Sequence, residues 1–223
     1  MIPFYFDIET IPSQDPAIRA ELAAAVTAPG TYKKPESIAE WLKENREAEA
    51  EAAWLKTSFD GGVGHVVCIA YASGDGDPRV LHQPALSREN EAATLEVFFR
   101  DLADAGHVQL IGHNIVGFDI PFLWKRAMVL GVEPPSNFPR NPKPWSEHVA
   151  DTMLLWDANQ RAGASMDRIC RLMGIPGKGD FGGADVWPTI RDEGIVGLSK
   201  VAEYCRGDVE RTRQMHKRMV FAS

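Results

Sequence analysis

Four carboxylates and one phenol in this 223-residue sequence stand where they could do chemistry together. The opening stretch "MIPFYFDIETIPS" runs an apolar segment, Phe4-Tyr5-Phe6, into Asp7 and Glu9. In an extended strand residues i and i+2 share a face, so the two acids sit side by side where the hydrophobic run ends. Asp119 follows the short apolar run "VQLIGHN" and opens a helix. Asp208 lies inside an amphipathic helix, with Tyr204 four residues earlier on the same face. Singly, each acid has an ordinary explanation: a strand edge or turn for Asp7 and Glu9, and a first turn favoured by the macrodipole for Asp119. Together, carboxylates from three separate elements repel one another unless a cation neutralises them. Oxygen ligands favour Mg²⁺ or Mn²⁺. A pair of such ions can activate a water and stabilise the leaving oxygen of a phosphodiester.

The elements that must position these residues follow from periodicity. Residues 2–8, 64–72 and 78–83 read as strands, the last two joined by the "SGDGD" turn. Ser87 can cap a helix that runs to Ala105, with Leu95, Phe98, Phe99 and Leu102 at helical spacing. After the strand "VQLIGHN", "GFDIPFLWKRAMVLG" predicts a helix with Pro121 in its first turn and Gly131 as its stop. A proline-rich connection from Glu133 to Trp145 leads to a strand closing at Asp151 and then to short helical pieces through Met173. Glycines fill 174–183, and a last helix is expected from Ser199 to about Val220. This order predicts an α/β fold with a mixed central sheet and helices on its faces.

One interval does not fit a hairpin. Residues 13–62 separate the first two strands where two to five residues suffice. Ser37 and Glu40 suggest a capping box, and Ile38, Trp41, Leu42, Ala48, Ala52 and Leu55 form an apolar stripe to Lys56. The chain is therefore expected to be one domain, 1–223, carrying a folded helical insertion. The base of the insertion is expected to border the acids, and Lys33 and Lys34 could then meet a phosphate backbone; a cover for exposed core or an oligomer contact is the alternative.

Composition narrows the classes further. A formal net charge of −7 argues against coating nucleic acid by bulk electrostatics, though not against an enzyme that acts on it. The sequence has no apolar run long enough for a membrane span and no signal-peptide pattern at its start, so a cytoplasmic protein with no membrane partner is expected. Cys68, Cys170 and Cys205 are widely spaced and read as reduced and buried.

The three acidic stretches carry a resemblance. "FDIET", "HNIVGFD" and "YCRGD" are similar, in order, to the three motifs of the DEDD superfamily of 3'-to-5' exonucleases, which includes polymerase proofreading domains and ribonuclease D. Asn114, Phe118 and Asp119 match the N-x-x-x-F-D form of family B polymerase proofreading domains. Tyr204 and Asp208 match the tyrosine branch, and Glu203 stands where the histidine branch needs its histidine. The chain looks most like the predicted exonucleases related to the family B proofreading domain. That resemblance implies a ribonuclease H-like fold and a metal-dependent 3'-to-5' exonuclease acting on single-stranded ends, with DNA as the expected substrate. It also implies roles: Asp7, Glu9 and Asp208 on a first metal ion, Asp7 also on a second, Asp119 on the second through water, and Tyr204 orienting the attacking water. An exoribonuclease on the same site is the alternative, since the motifs do not read the sugar. A nucleic-acid-binding module with a vestigial acid cluster is the rival from another class. A separate polymerase, or another replication or repair protein, is a candidate partner.

Other residues carry less. Asn114 is expected to contact substrate or pin its loop, and Phe118 to contact substrate. His113 reads as a packing residue, and Asp151 as a helix cap. "GIPGKGDFGG" is no phosphate loop, because Leu172 stands at the first glycine position and Gly179 follows Lys178 where Ser or Thr is required. Lys178 could still neutralise a substrate phosphate. Trp145, Trp156 and Trp187 could stack bases but are given no such role.

Overall fold

The computed structural model describes residues 1–143, 146–158 and 163–222, so Trp145 lies outside the described residues. The chain enters on strand β1 (Ile2–Ile11). Helices α1 (Pro16–Ala25) and α2 (Pro35–Lys56) follow, and a 3₁₀ turn, Thr57–Phe59, returns it to β2 (His65–Ser73) and β3 (Arg79–His82). Helix α3 (Arg88–Asp104), β4 (Val108–Gly112), α4 (Asp119–Leu130) and β5 (Val149–Asp151) come next. The chain finishes with α5 (Thr152–Trp156), α6 (Met166–Met173), α7 (Gly183–Glu193) and α8 (Ile195–Met219).

The sheet has the order β3-β2-β1-β4-β5, antiparallel among its first three strands and parallel from β1 to β5. The expected α/β fold with a mixed sheet is what forms. The period-2 pattern of β1 explains its central place. Phe4, Phe6 and Ile8 enter one core with Leu95, Phe98 and Leu102 of α3 and with Phe122 and Leu123 of α4. Tyr5 and Ile11 enter the opposite core with Val186 and Ile190 of α7 and with Val201, Cys205 and Val209 of α8. Asp7 and Glu9 share the parity of Tyr5 and therefore project toward the α7–α8 side.

Several expectations are corrected. The capping box at Ser37 does not form: α2 begins earlier, with Lys34 as its N-cap and Pro35 in the first position, and the Ser37 hydroxyl donates to the Lys34 carbonyl. Proline suits that position because the lost N–H is unpaired there anyway. Helix α7 falls in a stretch where no helix was expected, and it contains Pro188. One missing backbone bond is outweighed there by the burial of Val186 and Ile190. The last helix starts at Ile195 rather than Ser199. Gly197 lets its first turn lie directly on the backbone of Thr189 and Ile190, a contact no larger residue could make without a shift.

Residues 13–62 carry α1 and α2. Helix α2 is docked at its C-terminal end, where Trp54 Nε1 donates to the Ser13 carbonyl (2.9 Å) and the Ser13 N–H donates to Thr57 Oγ1 (2.8 Å). Trp54 is its one buried residue, and α1 has none. At 22 residues the helix is about 33 Å long, so Lys33 and Lys34, both exposed, sit at the far end from β1. The two lysines therefore lie away from the acids, because the helix runs outward from its anchored end.

A buried ion pair holds the second half of α4 against the sheet. Glu91 is fully buried and Arg126 5% exposed. The Glu91 carboxylate accepts from Arg126 Nε (2.8 Å), Arg126 Nη2 (2.5 Å) and the Val66 N–H (2.8 Å). Removing the cation would strand the carboxylate in the core. Arg126→Met should therefore lower unfolding free energy by about 3–5 kcal/mol. Denaturant titration reads this, and a loss under about 1 kcal/mol would show that the pair is not desolvated as described.

Candidate active site

The three stretches with the acids converge at one end of β1. Carboxylate oxygens of Asp7 and Glu9 and Sγ of Cys205 lie within 4.8 Å of one another. Helix α8 supplies Tyr204 and Asp208 beside them, and Asp119 arrives on the first turn of α4, where its Oδ1 accepts from the Ile8 N–H (3.2 Å). Asp119 and Asp208 are only 3% and 2% exposed. That hydrogen bond ties α4 to the strand residue between the two β1 acids, so the strand register itself sets the distance between elements.

The electrostatics record the crowding. Burial first, and then Asp208, push the Asp7 carboxyl up to about 7. Burial and then Asp7 raise Glu9 well above the ordinary carboxylate range, and the same two causes raise Asp119. Asp7 is thus the group that the others share. Relief comes from two cations. Lys178 Nζ pairs with Asp208 Oδ2 and donates to the Tyr204 hydroxyl oxygen (2.9 Å), and Arg211 Nη1 donates to Asp208 Oδ1 (2.9 Å). Burial opposes the Lys178 charge, but Asp208 and Tyr204 outweigh it and hold its pKa above the ordinary lysine value. Burial and then Asp208 raise the Tyr204 phenol, so it stays protonated at neutral pH. With its oxygen accepting from Lys178, its own O–H remains available to donate.

The donor set fits a hard divalent cation. In the metal-free chain Cys205 is a thiol, since burial raises its pKa well above the ordinary value and its Sγ donates to Asp7 Oδ2 (3.5 Å), and its soft sulfur suits a hard cation less well than oxygen does. What remains are carboxylate oxygens of Asp7, Glu9, Asp119 and Asp208, the donors Mg²⁺ and Mn²⁺ prefer.

A sequence-family model described as a predicted 3'-5' exonuclease related to the exonuclease domain of PolB matches residues 52–223. The chain belongs to this family. The matched range holds Asp119, Lys178, Tyr204 and Asp208; Asp7 and Glu9 lie before it, and they join the group through the geometry of β1. The fold is also similar to that of the family B DNA polymerase from the hyperthermophilic archaeon Pyrobaculum calidifontis, with TM-score 0.63 and 18% identity over 99% of this chain. The chain spans 24% of that polymerase. At this identity the likeness speaks for the fold, which is ribonuclease H-like. No curated protein matches the sequence.

The remaining expected residues are placed as follows. Asn114 adopts a left-handed conformation (φ 65°), its N–H donates to Asp151 Oδ1 (2.8 Å), and its carbonyl accepts from the N–H groups of Gly117 and Phe118. It therefore builds the turn that delivers Phe118 and Asp119. Asp151 caps α5 through the Met153 N–H and also accepts from Val116 N–H. His113 is held by Thr152 Oγ1 (3.0 Å) and the Ala164 carbonyl (3.1 Å), a packing residue as expected. Lys178 reaches the acids, whereas Lys33 and Lys34 do not. Cys205 and Arg211 were missed as site neighbours. Arg211 lies three residues after Asp208 and could have been found from that helical spacing.

The raised Asp7 pKa has a consequence for stability. An unfolded aspartate releases its proton near 3.8, whereas folded metal-free protein keeps it until about 7. Between those values the folded state binds the extra proton, so Asp7's contribution to stability is lost as pH rises. Metal-free Asp7→Asn should therefore become progressively more stable than wild type from about pH 4 to pH 7. Thermal midpoints in chelator read the difference. A gap that is constant across this window would contradict the crowding of the carboxylates.

Proposed function

We propose that this protein is a metal-dependent 3'-to-5' exonuclease that removes nucleotides from single-stranded DNA ends, with Asp7, Glu9, Asp119 and Asp208 holding two divalent cations. The observation that carries the reading is the convergence of four oxygen-donating carboxylates from β1, α4 and α8 on Asp7, with Tyr204 on the same face as Asp208. Family membership supports the reaction class, and the donor chemistry supports Mg²⁺ or Mn²⁺. Two divalent ions outweigh the four carboxylates once Lys178 and Arg211 are counted, which leaves a site that attracts a phosphodiester. When bound, the ions lower the pKa of the attacking water and offset charge on the departing 3' oxygen.

The chain's own groups do the rest. Tyr204, protonated and fixed by Lys178 at its oxygen, donates its O–H to the attacking water and holds it in line with the scissile phosphorus. A phenol that stays neutral is a poor base, so its part is orientation rather than proton removal. Lys178 can exchange its contact with Asp208 for a non-bridging phosphate oxygen as the acids take up cations. The Asn114 turn sets Phe118 beside Asp119, where its ring can meet the terminal base.

Three outcomes test this. Single-stranded DNA labelled at either end should be shortened from the 3' end only, in Mg²⁺ or Mn²⁺ and not in chelator. Asp7→Ala should abolish the reaction while leaving the fold intact. Digestion of a matched RNA with much higher kcat/KM would assign the site to RNA, and full activity of Asp7→Ala would remove the metal assignment. Tyr204→Phe should retain metal and substrate binding and lower kcat by about 10- to 10³-fold, the range for lost positioning. A change confined to KM would contradict the water-orienting role.

A further inference from the structure

Phe59 is 74% exposed, an unusual place for a phenylalanine in a turn that is otherwise rigidly held. The Ser58 carbonyl accepts from Thr10 Oγ1 (2.7 Å), one residue beyond Glu9. Its 3₁₀ turn is closed by the Asp60 N–H donating to the Thr57 carbonyl (3.0 Å). Gly61 and Gly64 then pack so closely that a Cβ would meet the Phe122 and Thr57 carbonyl oxygens at 2.5 Å. The backbone beneath Phe59 is therefore fixed to β1 on one side and to α4 on the other. Its ring meets Phe118 edge-to-face, centroids 6.5 Å apart, and Phe118 in turn meets Phe122 at 5.4 Å.

We propose that Phe59 is a base-stacking residue that, with Phe118, forms an aromatic step where unpaired nucleobases of the entering strand seat beside the acids. This rests on the exonuclease reading above. The two anchors decide the occupant: Phe59 is tied through Ser58 to the strand end that carries Glu9, and through Phe118 to the helix turn that carries Asp119. A flat apolar ring held at that spot fits the face of a base, which stacks on aromatic rings without regard to sequence. A ring so exposed adds little to the core, so its removal should leave the fold unchanged. The insertion thereby acquires a role at its anchored base rather than at its lysine-bearing tip.

The test compares wild type, Phe59→Ala and Phe59→Trp on a single-stranded DNA with 2-aminopurine near its 3' end. Binding in chelator is read by fluorescence and turnover in Mg²⁺ by product release. Phe59→Ala should weaken binding and raise KM by about 5- to 100-fold, with kcat and the thermal midpoint unchanged, and Phe59→Trp should restore both. Binding by Phe59→Ala within twofold of wild type would overturn the proposal, as would a Phe59→Trp variant as defective as Phe59→Ala. If wild type releases no nucleotide, the exonuclease reading fails on its own, and the fluorescence comparison still decides whether Phe59 stacks a base.

Discussion

Mutual repulsion around Asp7 is the constraint on which the rest of the structure depends. Two ionised carboxylates under 5 Å apart cost about 3–4 kcal/mol at the effective dielectric of a protein site, a large part of the 5–15 kcal/mol that separates a folded domain from its unfolded chain. The metal-free chain meets that cost in three ways. Protons stay on Asp7 at pH values where aspartate normally ionises, the Cys205 thiol donates to Asp7, and Lys178 and Arg211 occupy both oxygens of Asp208. Each of these is a substitute for positive charge.

The scaffold is arranged so that the repelling groups cannot drift apart. β1 is the central strand, with β2 on one edge and β4 on the other. Its alternate residues are locked into two cores, which fixes the face that Asp7 and Glu9 share. Asp119 is fastened to the Ile8 N–H, and its helix is fastened to β2 through Glu91 and Arg126. Asp208 is carried by α8, which packs its apolar face on the same side of the sheet. Rigid elements rather than loops hold all four acids, so the energy of their crowding is retained in the metal-free chain.

The parts of this arrangement legible in the sequence were those governed by short-range rules. Strand parity put Asp7 and Glu9 on one face, helical spacing put Tyr204 and Asp208 on another, and turn chemistry marked the caps at Ser87, Gly131 and Asp151. What could not be read depended on long-range placement. The direction of α2, and hence the distance of Lys33 and Lys34 from the acids, is set by Trp54 docking on Ser13, a contact between residues 41 positions apart. Helix α7 was hidden by Pro188, whose local cost is offset by burial. Phe59 carried no periodic signal at all; its interest arises because Gly61, Gly64 and Thr10 hold it next to Phe118.

Counting bound Mn²⁺ by electron paramagnetic resonance, as the ion is titrated into metal-free protein at neutral pH, tests the carboxylate account most directly. Wild type should bind two ions per chain, and Asp7→Asn should lose saturable binding of at least one of them while remaining folded. Absence of saturable binding in wild type, or the same stoichiometry and affinity in Asp7→Asn, would contradict the claim that these acids are held together to receive divalent cations.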